Sequence, residues 1–179
     1  CYYFDKTNYI EELIKDKTKI KLFTRPRRFG KTLNMSTLKY FFDVKNAEEN
    51  RKLFKDLYIE KSEYFKEQGQ YPVIFITLKD LKKNTWKEMN FEIKELLRNL
   101  YDEFNFIRDT LSISDLREFD KIWLKEEDAN YDSSLLNLTK YLYNYYKKEV
   151  VLLIDEYDSP LITANQRGYY KDSINFFRN

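Results

Sequence analysis

The sequence contains no histidine, one cysteine, three glycines and three prolines among its 179 residues. Without imidazole, a Ser-His-Asp or Cys-His nucleophile is excluded, as is every zinc site that needs a histidine ligand. Chemistry must therefore use carboxylates, lysine, arginine, hydroxyls and bound metal. The single cysteine, Cys1, closes no internal disulfide, which suits a reducing compartment. The longest apolar run, Val150 to Ile154, is five residues, against the roughly 20 a membrane span needs. With no targeting segment legible, the expectation is a cytoplasmic protein with no membrane contact. The chain opens at Cys1 without an initiator methionine and stops at Arg178 and Asn179 inside a helical pattern, so it reads as a piece of a longer protein. A lipid-bearing amino-terminal cysteine is the less favoured reading.

What is present points to a folded domain. Lys and Arg total 32 against 30 Asp and Glu, a net charge of +2, which removes the electrostatic reason to expect a general nucleic-acid coat. Sixteen Tyr, 14 Phe and two Trp make 18% aromatics, too many for a disordered chain. Scarce Gly and Pro predict that helices dominate, and no repeat or flexible linker is visible. After Asp5, residues Tyr9, Ile10, Leu13 and Ile14 have the spacing of one helix face. Ile20 to Phe23 reads as a strand, Lys31 to Phe42 as a helix, and Ala47 to Lys66 as helical. Val73 to Ile76 is a continuous apolar run, the signature of a strand buried on both faces. Asn84 opens a long helix with Phe91, Leu96, Leu97, Leu100, Tyr101 and Phe104 on its apolar side. Further helices are expected from Ser114 and from Asp132 or Ser133, the last burying Leu135, Leu138, Leu142 and Tyr145. Val150 to Ile154 is the third strand. Strands separated by helices imply crossovers and a parallel sheet covered on both sides, an α/β fold.

The segment Thr24-Arg25-Pro26-Arg27-Arg28-Phe29-Gly30-Lys31-Thr32 lies between an expected strand and an expected helix, where a phosphate-binding loop G-x-x-x-x-G-K-[ST] must lie. Backbone amides from Arg28 and Phe29 through Gly30, Lys31, Thr32 and Leu33 would converge on an anion at a helix N-terminus. Gly30 lets the backbone approach phosphate, Lys31 reaches β and γ oxygens, and the Thr32 hydroxyl joins a Mg²⁺ shell. Arg25 stands where the general pattern has its first glycine, which predicts a differently opened loop. The strand Val150–Ile154 runs into Asp155-Glu156, placing two carboxylates at the carboxyl edge of the sheet, where α/β proteins bind ligands. Asp155 would hold Mg²⁺ and Glu156 would orient and deprotonate water; the bland alternative is a solvated strand end.

Arg25-Pro26-Arg27-Arg28-Phe29-Gly30-Lys31-Thr32, Ile154-Asp155-Glu156-Tyr157-Asp158-Ser159-Pro160 and Tyr3-Phe4-Asp5-Lys6-Thr7 together resemble the bacterial AAA-ATPase-like family over nearly the whole chain. The resemblance implies a partial P-loop NTPase domain spanning residues 1–179, a parallel sheet flanked by helices, and ATP with Mg²⁺ as ligands. It implies that Arg-Pro-Arg-Arg-Phe is typical of the family, that a sensor strand follows beyond this sequence, and that a fused or associated nuclease-like effector domain is a partner. Nucleic acid and self-association stay open as further partners.

Several features keep two readings. Arg25, Arg27 and Arg28 suit the γ-phosphate, an acidic edge of a neighbouring domain, nucleic acid, or plain solvation. Tyr141, Tyr143, Tyr145 and Tyr146 beside Lys140, Lys147 and Lys148 suit base stacking, although helical spacing assigns part of the cluster to the core. Trp86 and Trp123 read as packing anchors, and Glu48-Glu49 and Glu126-Glu127-Asp128 as solvated surface. The expected activity is ATP hydrolysis by Lys31 and Glu156, low for this stretch alone. A nucleotide-dependent switch with little hydrolysis and phosphoryl transfer to a small acceptor are the alternatives.

Overall fold

The computed structural model describes residues 5–16, 18, 20–22 and 30–177. Its elements in chain order are α1 (Asn8–Lys15), α2 (Lys31–Phe42), α3 (Ala47–Arg51), β1 (Val73–Thr77), α4 (Trp86–Glu103), α5 (Ile113–Trp123), α6 (Ser134–Tyr146), β2 (Val151–Asp155), α7 (Ser159–Arg167) and α8 (Tyr170–Phe177). Contacts divide the chain into two units, Cys1–Phe75 with Lys148–Leu153, and Ile76–Lys147 with Ile154–Asn179. The strands pair with each other. Val151 N–H donates to the Pro72 carbonyl and Leu78 N–H to the Asp155 carbonyl; both numbers rise together, so the pair is parallel. The helical chain with its parallel pair is compatible with the α/β expectation.

The first unit is held by a short-segment core. Ile10, Met35, Leu38, Phe41, Phe54, Ile59, Phe65, Val73 and Leu153 form one buried cluster. Phe41 sits at its centre, with the rings of Phe42 and Phe54 edge-on at 5.1 and 5.3 Å, the arrangement aromatic quadrupoles favour. The expected helix over Ala47 to Lys66 is instead α3 followed by three 3₁₀ segments, Lys52–Phe54, Tyr58–Lys61 and Glu63–Glu67. Side chains take up the first donors of the middle 3₁₀ segment. The Asp5 carboxylate accepts from Thr7 N–H at 2.8 Å and from Tyr58 N–H at 2.6 Å, while the buried Thr7 hydroxyl accepts from Ile59 N–H at 3.1 Å. These bonds take up backbone donors that helix ends leave without partners. Partial burial pushes the Asp5 carboxyl up, but hydrogen bonds from Thr7 and Tyr58 outweigh it and hold the group below the usual carboxylate value.

The expected strand at Ile20 to Phe23 does not appear where the chain is described. Ile20 to Leu22 carry no regular element, and the Ile20 side chain is 86% exposed. A buried parallel strand needs hydrogen-bonded neighbours, and among the described residues none pairs with this segment; Phe23 lies outside them.

The second unit rests on longer amphipathic helices. Thr85 caps α4 with a reciprocal box: its hydroxyl accepts from Glu88 N–H at 3.3 Å, and the Glu88 carboxylate accepts from Thr85 N–H at 3.2 Å. Ser112 caps α5 by accepting from Asp115 N–H. Met89, Ile93, Leu97, Leu100, Tyr101 and Phe104 are buried, with Phe119 and Ile122 of α5 and Leu138, Tyr141 and Leu142 of α6. Tyr101 lies 4.7 Å from Phe119 between centroids and donates its hydroxyl to the Ser134 carbonyl at 2.8 Å. Of the residues assigned to the core by spacing, Leu96 and Leu135 are half-buried, while Phe91 is 59% exposed and Tyr145 44%. Phe91 lies under Lys125 at 5.8 Å and Tyr145 against Phe106 at 5.6 Å, so each finds its partner at the rim. No described helix is long and apolar enough to cross a membrane.

Candidate functional site

The glycine of the Gly-Lys-Thr motif stands at φ 74, left-handed, immediately before α2. That conformation costs an L-residue with a Cβ about 1 kcal/mol or more. A Cβ added here would meet no atom of the described residues within 4 Å, so it is the turn that requires glycine. Lys31, Thr32 and Leu33 form the first turn, which contains no acidic residue. The positive end of the helix dipole is therefore not offset by a carboxylate of its own first turn. Asn34 N–H closes the first helical bond onto the Gly30 carbonyl at 2.9 Å. The Tyr9 hydroxyl donates to the Asn34 carbonyl at 2.8 Å, pinning this turn to α1. Met35, Leu38 and Phe41 bury the opposite face of α2, leaving Thr32 and Leu33 exposed. Arg25, Arg27, Arg28 and Phe29 lie outside the described residues, as do Tyr3 and Phe4.

Gly30 to Leu33 belong to the first unit; Asp155 and Glu156 belong to the second. Asp155 ends β2 and is 2% exposed. Its carbonyl accepts from Leu78 N–H at 2.9 Å, and its Oδ1 accepts from Glu156 N–H at 3.0 Å. Burying a carboxylate in this way is costly unless it is hydrogen-bonded or coordinated. Glu156 follows at φ 53, a left-handed position unusual for a residue with a long side chain. The Ser159 amide donates to the Glu156 carbonyl at 3.0 Å, and the Ser159 hydroxyl reaches its Oε2 at 3.4 Å. Strand, left-handed residue and helix thus follow one another within a few positions, and Pro160 lies in the first turn of α7. Backbone strain of this kind concentrates at functional sites.

Two residues around these segments carry roles that the sequence does not assign. Tyr9 reads only as part of a helix face, and no spacing signal marks its hydrogen bond to Asn34. Ser159 stands within the Asp-Glu segment without a role of its own; a serine immediately before a proline at a helix start is the signal that was available. Among the described residues, no three His, Cys, Asp or Glu side chains gather as a metal cage. Mg²⁺ is commonly held by one or two carboxylates together with substrate phosphates, and the buried Asp155 at its strand end is a carboxylate that fits this chemistry.

A family model described as "Predicted AAA-ATPase" matches residues 1–179. The chain belongs to this AAA-ATPase-like family. No curated protein and no solved structure matches it.

Proposed function

We propose that this chain is the nucleotide-binding part of an ATPase that binds Mg-ATP through the Gly30–Leu33 turn and hydrolyses it with water. The observation that carries the reading is the left-handed Gly30 leading directly into Lys31 and Thr32 at the start of α2. The family match supports it independently. In this reading the amides of Arg28 to Leu33 and the Lys31 ammonium bind phosphate oxygens and oppose charge on the transferring group. Thr32 and Asp155 are the residues that would hold Mg²⁺, which when bound neutralises charge on the β and γ oxygens. Glu156 orients water and accepts its proton.

Calorimetric titration of the intact protein with Mg-ATP tests the binding half. Lys31→Ala should abolish the heat; an unchanged isotherm removes the turn from nucleotide binding. Glu156→Gln should keep nucleotide bound and slow turnover by about 10² to 10⁴. A second reading, a nucleotide-dependent switch with little hydrolysis that controls a linked effector, is favoured by the Ser159 hydroxyl reaching Glu156 Oε2 at 3.4 Å, since that contact competes for the carboxylate a base would use. Single-turnover measurement separates the two: ATP bound through many binding lifetimes without product identifies the switch.

A further inference from the structure

An open groove of about 400 Å³ lies within the second unit. One wall is a stripe of α4 at four-residue spacing, Trp86, Asn90 and Lys94; facing residues come from α8 and from the loop before α6. At one end the Trp86 ring lies 6.2 Å from Phe176, tilted by 57°. At the other, the Lys94 ammonium sits over Tyr131 at 4.6 Å. Asn90, Asn130 and Asn175 line the same space; a carboxamide carries both donors and an acceptor, and the Asn130 oxygen also accepts from Ser133 N–H at 3.3 Å. Asp132 and Asp172 complete the lining, both exposed and neither in an ion pair among the described residues.

The charges select the ligand class. Two carboxylates against one ammonium, itself engaged with an aromatic face, give the lining a net negative charge, which opposes phosphate and nucleic acid. Aromatic faces at one end favour a flat cation. A guanidinium is planar, always charged and carries five donors, matching an indole face and carboxylate oxygens at once. Carboxamides along the walls match alternating peptide N–H and C=O groups, as a free amino acid or a compact cation would not require.

We propose that this groove binds an arginine presented on an extended segment of a partner protein, with the guanidinium against Trp86 and Phe176 and facing Asp172. The amides of Asn90, Asn130 and Asn175 hold the flanking peptide backbone, and Lys94, fixed over Tyr131, closes the far end against a second cation.

The test is fluorescence anisotropy of the intact protein with a labelled, end-capped Gly-Gly-Arg-Gly-Gly peptide and its citrulline counterpart, which keeps the shape and removes the charge. Saturable binding of the arginine peptide is expected, with citrulline weaker by about tenfold or more, the usual consequence of losing a charge-assisted contact. Asp132→Asn with Asp172→Asn should weaken the arginine peptide by a similar factor. Both are exposed side chains and their replacement should leave the thermal unfolding curve in place. Glu127→Gln, an acidic surface change outside the groove lining, should leave affinity unchanged. Absence of binding, equal affinity for arginine and citrulline, or indifference to the double substitution would each overturn the proposal. So would an oligonucleotide that binds saturably and is weakened by Trp86→Ala, since the groove would then take the opposite charge.

Discussion

Phe41 and Phe119 are both fully buried aromatic residues, but their surroundings are built from different parts. Around Phe41, in the unit formed by Cys1–Phe75 with Lys148–Leu153, the ring neighbours are Phe42 of α2 and Phe54 and Phe65 of two 3₁₀ segments, and the 3₁₀ segment between these two has its first donors taken up by Asp5 and Thr7. Around Phe119, in the other unit, the ring neighbours Tyr101 and Tyr141 come from α4 and α6, helices of 18 and 13 residues. Outside that core, Arg108 grips Asp120 with two parallel 2.8 Å bonds, and Lys83 pairs with Glu92 at 2.8 Å. The first unit thus depends on individual side-chain-to-backbone contacts, and the second on helix formation that many residues share. Damage at one position should spread differently in the two.

The largest effect that would sharpen this contrast is Phe41→Ala. Removing a ring buried against two edge-on partners should cost about 3–5 kcal/mol, read from denaturant unfolding. The matched change Phe119→Ala should fall in the same range; a loss at Phe41 near about 1 kcal/mol, far below the usual cost of truncating a buried ring, would erase the central role given to it.

Next is Asp5→Ala, which removes the acceptor for both Thr7 and Tyr58. A loss of about 1–2 kcal/mol at neutral pH is expected, large for a partly exposed carboxylate. Because the folded-state value lies below the unfolded one, the Asp5 contribution is fully present above the ordinary carboxylate pKa of about 4. It fades as the pH falls through the lower folded value. Stability curves of the native and Ala proteins should therefore converge on acidification, and parallel curves would contradict the role of these hydrogen bonds.

Smallest is Thr85→Ala, which opens one side of the α4 capping box and should cost about 1 kcal/mol. Thr85→Ser keeps the hydroxyl and should stay close to the native protein in the same melt. A serine variant as weak as the alanine one would assign the effect to the methyl group instead.

The same contrast explains what the residue order discloses. The helices expected to open at Asn84 and from Ser114 begin within two residues of those positions, at Trp86 and Ile113, with Thr85 and Ser112 as the capping residues. Gly30 was legible as the point where backbone approaches phosphate, and the structure adds that its conformation is left-handed. Ser133 precedes α6 as expected but makes no side-chain cap bond, so residue type alone located the boundary and not its chemistry. The 3₁₀ segment Tyr58–Lys61 was not legible: its first two donors are taken up by Asp5 and Thr7, some fifty positions earlier in sequence, and no window of neighbouring residues contains that information. The groove was hidden for a related reason. Trp86, Asp132 and Asp172 come from three separated stretches, and Trp86 taken singly looks like a packing residue. Glu156 could be chosen as a chemical candidate from its place after a strand, but its positive φ could not, since nothing in a glutamate predicts it.

Leu153 belongs to the cluster containing Ile10 and Phe41, although more than a hundred residues separate it from them along the chain. During synthesis at about 5–20 residues per second, the helices from Trp86 to Tyr146 emerge as an uninterrupted stretch that can settle before β2 is made. The amino-terminal portion must wait for that strand to leave the ribosome. Both units therefore close only when late-made chain arrives, Leu153 for the first and α7 with α8 for the second, and until then the greasy interior of the amino-terminal stretch is where a chaperone would bind.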